Sequence, residues 1–212
     1  LRHDVMAHVH ALADIAPEAG PIIHLGATSQ DINCNTETLQ LRDALELICA
    51  KCARVVDALA DFATAWRDLP ALAFTHYQPA QPTTVGKRAC VWAYDIALCL
   101  NRLERTTADL RMRGIKGATG TQASFLALFH GDAKKVDQLD RSVVEKLGFD
   151  PDKRHAVTGQ TYPRVVDAFI LGDLASTAAA LHKLATDIRL LSNRKELDEP
   201  FGESQIGSSA MP

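Results

Sequence analysis

Apolar residues recur at alternating steps of four and three along three separate stretches of this chain, and that pattern limits the fold more than any other feature. In residues 36–68 the series is Leu41, Leu45, Ile48, Cys52, Val55, Leu59, Phe62 and Trp66. In 82–111 it is Val85, Ala89, Trp92, Ile96, Cys99, Leu103, Thr106 and Leu110. In 162–194 it is Leu171, Leu174, Ala178, Leu181, Ala185 and Ile188. Each series is a stripe along one face of an α-helix of roughly 30 residues, ~45 Å long at 1.5 Å per residue. The third stretch also has apolar residues off its stripe, including Val165, Val166, Phe169, Ile170, Ala179, Leu184 and Leu190. A helix that is apolar nearly all round needs partners on several sides. Three helices do not supply enough, so an oligomeric bundle is expected, with Ala175 and Ala178 to Ala180 allowing close helix approach.

Shorter helices are expected at 3–15, where Asp4 favours a start and Pro17 follows the end, and at 132–147, capped by Gly148. No alternating pattern marks a strand, so the expected class is all-α. The 212 residues carry a net charge of −3, which removes the electrostatic case for nucleic acid or an anionic membrane surface. Asp167, Asp173 and Asp187 interrupt the most apolar stretch, and no uninterrupted apolar run reaches the ~18 residues of a membrane span. The five cysteines do not read as a secreted disulfide framework. Cys49 and Cys52 form a lone C-x-x-C pair and are read as ordinary packed thiols, in keeping with a reducing, cytoplasmic setting.

Four polar segments fall where the helices stop, and such loops are where functional groups concentrate. In the first, Arg2, His3 and Asp4 open a helix, and the planar fork of Arg2 suits a carboxylate or phosphate. His3, His8 and His10 lack the spacing and the adjacent Glu of a helical zinc site, so no metal is expected. In the second, Thr28, Ser29, Asp31 and Asn33 crowd a Gly-containing turn ahead of the first long helix, whose cap is expected at Asn35 or Thr36. Hydroxyls and free amides there suit either an anion or ordinary capping. In the third, His76 lies between Thr75 and Gln78 in a segment closed by Pro79 and Pro82, just before the second long helix. It is either a proton donor or a histidine bonded to nearby backbone. In the fourth, the terminal 206–212, Gly207 and the small residues after it suit a loop that opens and closes, or a plain linker. The Gly-rich 113–125 lacks the ending of a P-loop and is expected to be a tight connection. Gln160 presents a free amide near the start of the third long helix.

Taken together, RHDVMAH (2–8), HLGATSQDIN (24–33), FTHYQPAQPTTVGKR (74–88), KGATGTQASF (116–125) and GSSAMP (207–212) resemble the fumarase/aspartase superfamily, along essentially the whole chain. The Arg-His-Asp and Thr-Ser-x-Asp forms resemble its adenylosuccinate branch. The resemblance implies a β-elimination that releases fumarate from adenylosuccinate, giving AMP, and from succinyl-aminoimidazole carboxamide ribotide. It makes His76 the general acid and Ser208 the general base. Arg2, His3, Asp4, His24, Thr28, Ser29, Gln160 and Ser209 become substrate-binding residues. No cofactor is implied, and the expected assembly is a homotetramer with sites shared between subunits. Carboxymuconate cycloisomerases and argininosuccinate lyases share the helices and the serine loop. They remain alternatives, as does a non-catalytic helical scaffold. Residues 1–30 are expected to end an N-terminal helical region, and 31–212 to form the central bundle of a longer protein.

Overall fold

The computed structural model describes residues 1–198, 200 and 202–207. Its elements are α1 (Asp4–Ile15), α2 (Ser29–Ala65), a hairpin of β1 (Pro70–Thr75) and β2 (Gln78–Thr84), α3 (Val85–Ala108), α4 (Ala123–Leu128), α5 (Ala133–Lys146) and α6 (Val165–Asn193). Helices α2, α3 and α6 run side by side, up, down and up. Their 37, 24 and 29 residues make rods of ~55, ~36 and ~44 Å.

The stripes of α2 and α3 form the core between them. Leu45 and Cys52 from α2 meet Ile96 and Leu103 from α3, with Leu110 and Ile170 completing the cluster. A second cluster at the other end joins Ala63, Ala89, Trp92 and Leu191. The two helices approach closely at Gly86, where an added Cβ would lie 2.4 Å from the Ala63 carbonyl oxygen.

Helix α6 departs from its expected register. The face it turns to α3 carries Ile170, Asp173, Thr177 and Leu191, all buried, whereas Leu171 of the expected stripe is 63% exposed. Phe169, Leu181 and Ile188 are exposed as well. The inner face combines apolar packing of Ile170, Leu174, Leu184 and Leu191 with polar bonds: Arg102 Nη2 donates to Asp173 Oδ1 at 2.8 Å, and Trp92 Nε1 donates to Asp187 Oδ2 at 2.8 Å. Several large apolar residues of α6 therefore look outward in a single chain. By length and composition α6 would also be apolar enough to cross a membrane, but Asp173 and Asp187 on its packed side pair with Arg102 and Lys183.

Two further expectations are corrected. The segment before α3 is a β-hairpin rather than a bare loop, with Pro70 opposite Thr84, Thr75 opposite Gln78 and an irregularity between Leu72 and Phe74. Its strands are largely exposed, so no core enforces alternation, and a two-stranded ribbon tolerates Pro79 and Pro82 because both strands are edges. The first long helix starts earlier than expected, at Ser29 with Thr28 as its cap, so Asp31 and Asn33 are helical. The Asp31 carboxylate accepts from the Thr28 amide at 2.9 Å, satisfying one of the free donors of the first turn. The Gly-rich 113–122 is the expected tight connection. Gly114, Gly117 and Gly120 all have positive φ, and a Cβ on Gly120 would lie 2.1 Å from the Thr158 oxygen.

Candidate active site

The polar segments gather at both ends of the bundle. At the end where α2 begins, His3 caps α1 by accepting from the Met6 amide at its Nδ1 (3.3 Å). A neutral ring in that role carries its proton on Nε2, which lies 3.5 Å from Ser29 Oγ. The Arg-His-Asp and Thr-Ser segments are therefore neighbours, 26 positions apart in the chain. Arg2 is exposed with φ 52°, and Asp4 is exposed beside His3, 3.6 Å from its Nδ1. His24 sits in the turns that lead into α2, and its Nε2 is buried with no hydrogen-bond partner among the described residues.

Beneath these groups lies a buried ion pair. Arg113 is 0% exposed, and its Nη1 donates to Asp31 Oδ1. Asp31 also accepts from the amides of Thr28, Lys116 (2.8 Å) and Gly117 (3.2 Å), while Arg113 Nη2 donates to the carbonyls of Gly117 (2.7 Å) and Gly159 (3.1 Å). Asn35 adds a two-way link, donating to the Gly114 carbonyl and accepting from the Gly114 amide. The pair therefore joins the cap of α2, the Gly-rich loop and the stretch before α6. Gln160 follows Gly159 directly and is exposed, five residues ahead of α6 rather than at its start.

Arg113 was not singled out from the sequence. Within RGIKGATG it reads as an ordinary surface cation, and only the fold shows it facing the carboxylate 82 positions earlier. Nearby, burial pushes the Tyr162 hydroxyl well above the usual tyrosine range, helped by its 2.6 Å hydrogen bond to Asp167. Burial also lowers the His155 pKa, with the Arg111 charge adding to the effect, so this ring is neutral at physiological pH.

His76 lies at the other end, exposed at the hairpin tip. It and Tyr77 form the turn with φ of 53° and 57°, a left-handed conformation that non-glycine residues adopt at some cost. The tip is braced against the end of α6. Tyr77 Oη donates to Asn193 at 3.4 Å, and the Arg194 guanidinium lies 4.1 Å from the centre of the Phe74 ring. Arg88 adds to the brace, donating to the Leu72 carbonyl and to Glu196. Ser208 and Ser209 lie outside the described residues; the segment that leads to them leaves from this same end. The whole ~55 Å length of α2 separates the His76 tip from His3, Thr28 and Ser29.

Long antiparallel helices with polar loops at both ends are the architecture of the fumarase/aspartase superfamily, and the chain belongs to its lyase family, matched over residues 3–212. Adenylosuccinate lyase from Saccharomyces cerevisiae is 54% identical over 211 residues, covering 100% of this chain and 43% of that protein. The Schizosaccharomyces pombe adenylosuccinate lyase is 51% identical, covering 99% and 43%. Among solved structures, a fumarate lyase from Mesorhizobium sp. BNC1 superposes with a TM-score of 0.79 at 31% identity, over 91% of this chain and 43% of that one. The 3-carboxy-cis,cis-muconate lactonizing enzyme from Pseudomonas putida gives 0.77 at 28% identity, over 91% and 41%. The chain spans about two-fifths of the length of the curated relatives it matches.

Proposed function

We propose that this chain is the central part of an adenylosuccinate lyase, which eliminates fumarate from adenylosuccinate to give AMP and from succinyl-aminoimidazole carboxamide ribotide to give its carboxamide. The observation that carries the reading is the 54% identity along the entire chain to an adenylosuccinate lyase. Residues 1–30 close an N-terminal helical region and residues 31–212 belong to the central bundle, in a cytoplasmic homotetramer.

In this reading Ser208 removes the proton beside the succinyl carboxylate, and His76 protonates the departing nitrogen. Loss of that proton builds negative charge on the carboxylate, which hydroxyls, amides and a cation aimed at it stabilise. Thr28 and Ser29 hold the succinyl portion, Arg2, His3, Asp4 and His24 line the substrate, and Gln160 and Ser209 contribute further contacts. An acid and a base on different loops can have their protonation set separately. Since α2 separates His76 from Ser29 within one chain, a site that uses both draws them from different copies. The outward apolar face of α6 supplies a surface for such copies to meet.

The test uses the full-length protein. Ultraviolet assays with adenylosuccinate should show fumarate forming; absence of fumarate would refute the reading, and turnover of a muconate substrate instead would favour the cycloisomerase alternative. Sharing of the site has its own readout. Separately inactive His76→Ala and Ser29→Ala variants, dissociated and reassembled together at equal amounts, should recover about a quarter of the activity, because random mixing gives that share of sites two intact contributions. No recovery would mean that each site is built from one chain.

A further inference from the structure

The pair Asp31–Arg113 stands apart from every other ion pair in the described chain because both side chains are essentially sealed from water, at 1% and 0% exposure. A buried pair is a poor way to add stability, since well-packed apolar residues usually do as well or better. What apolar residues cannot do is hold backbone amides and carbonyls in fixed directions. Here the carboxylate accepts from the Thr28, Lys116 and Gly117 amides, and the guanidinium donates to the Gly117 and Gly159 carbonyls. Each bond ends on a loop that carries a proposed substrate contact or braces one. Asp31 lies one turn below the Thr28 cap, and its hydrogen bond to the Thr28 amide fixes the first turn from which the Thr28 and Ser29 hydroxyls leave the helix. Gly120 packs against Thr158 and Gly159 so closely that the Gly-rich loop and the Gln160 segment cannot shift independently.

We infer that Asp31 and Arg113 are a positioning pair, setting the Thr28–Ser29 hydroxyls and the Gln160 segment at the succinyl-binding end of the site. This rests on the lyase reading above. The pair touches no substrate itself. It acts by holding three loops in register, so its loss should weaken recognition of the dicarboxylate half of the substrate more than the nucleotide half.

The experiment compares two product inhibitors on the full-length tetramer, fumarate for the succinyl side and AMP for the nucleotide side. The main variant is the neutral double substitution Asp31→Asn/Arg113→Gln, which leaves no buried charge unpaired but removes an acceptor for the Thr28 amide. Arg113→Lys is the second, keeping the charge while losing the fork that reaches Gly117 and Gly159 together. Each should raise the fumarate inhibition constant and the KM by ~10-fold, as expected for loss of an oriented hydrogen bond, with the AMP constant within ~2-fold of wild type and the tetramer intact. Equal changes in both constants, or no change in either, would overturn the inference, as would failure of both variants to assemble, which would make the pair a structural anchor. Absence of wild-type turnover on adenylosuccinate is a separate result that removes the lyase reading, and the inference falls with it.

Discussion

Replacing Gly86 by alanine tests whether the crossing of α2 and α3 sets the position of the hairpin. The added Cβ would lie 2.4 Å from the Ala63 oxygen, 2.6 Å from the Arg67 Cα and 2.9 Å from the Arg67 nitrogen. All three are backbone atoms, so no side-chain rotation can relieve the overlap. Restoring ordinary contact requires the start of α3 to retreat by about 1 Å. Overpacking costs about 1–3 kcal/mol where side chains can adjust, and here they cannot. The retreat also stretches the 2.9 Å hydrogen bond from the Gly86 amide to the Trp66 carbonyl, worth about 1 kcal/mol. Alanine returns up to ~1 kcal/mol through helix propensity. The net expectation for Gly86→Ala is a loss of about 3 kcal/mol, a large part of a typical domain's stability.

The assay is urea denaturation of the full-length protein at fixed concentration, since oligomer stability depends on concentration. Turnover gives a second readout. The Val85 amide donates to the Leu69 carbonyl at 3.0 Å, closing the base of the hairpin beside Gly86. A ~1 Å shift there is carried up β2 toward His76, and misplacement of that size can cost ~100-fold in rate. A Gly86→Ala protein within ~1 kcal/mol of wild type and with unchanged kcat would refute both steps of this reasoning.

His76→Ala should lower kcat by at least ~100-fold with helical circular dichroism unchanged; His76→Asn, which suits the left-handed backbone, should fall as far if the ring rather than the turn matters. Asp173 offers a pH test: burial disfavours its charge, but the Thr106 hydroxyl and the Arg102 guanidinium outweigh that and hold its carboxyl below the usual range. A depressed folded pKa stabilises at pH above the unfolded value of about 3.9, and this contribution fades as pH falls toward the folded value. Urea midpoints measured from pH 6 down to pH 3 should therefore drop less steeply for Asp173→Asn than for wild type, and identical slopes would remove Asp173 from the account. Gly172→Leu adds bulk to the outward face of α6 at a position where an added Cβ meets nothing within 4 Å, so sedimentation should show loss of the multimer; an intact one would mean that this position is not covered.

The stripes of α2 and α3 were legible because their buried faces are apolar and little else competes for them. Helix α6 misled for a physical reason. Its inner side mixes Ile170, Leu174, Leu184 and Leu191 with Asp173, Thr177 and Asp187, so polar residues interrupt the apolar series there while Phe169, Leu171, Leu181 and Ile188 stay outside in the single chain. The hairpin was missed because period-2 alternation reports a strand with one face in a core, and here no strand residue is fully buried: β1 is half-buried through small alanines and β2 is mostly exposed. Asp31 was noticed but placed in a turn, since Asn35 and Thr36 made an equally good cap on paper. Its capping box with Thr28 uses a residue that also serves as half of an ion pair, a double role that local patterns do not carry. The chemistry of His76 was open from its neighbours alone. Left-handed φ values at a Tyr-containing tip are not written in any spacing, and the proton-donor role came from resemblance.

In the proposed lyase, the arrangement of the two ends links catalysis to assembly. A helix as long as α2 is stiff, so the distance from Ser29 to the His76 hairpin cannot be closed by bending within one chain. Antiparallel pairing of copies closes it without any bending, because it brings the hairpin end of one rod beside the cap end of another. That pairing needs an apolar surface running the length of the bundle. Leu171, Leu181 and Ile188 lie toward one side of α6 and are exposed from near its start to near its end, whereas Phe169, two residues before Leu171, projects from another side. The inward polar pairs of α6 fit the same logic, since Arg102–Asp173 and Trp92–Asp187 help fix which side of the helix turns inward and so which apolar residues stay outside. In the proposed lyase, those two polar contacts bear on whether complete sites form, although neither includes a proposed site residue.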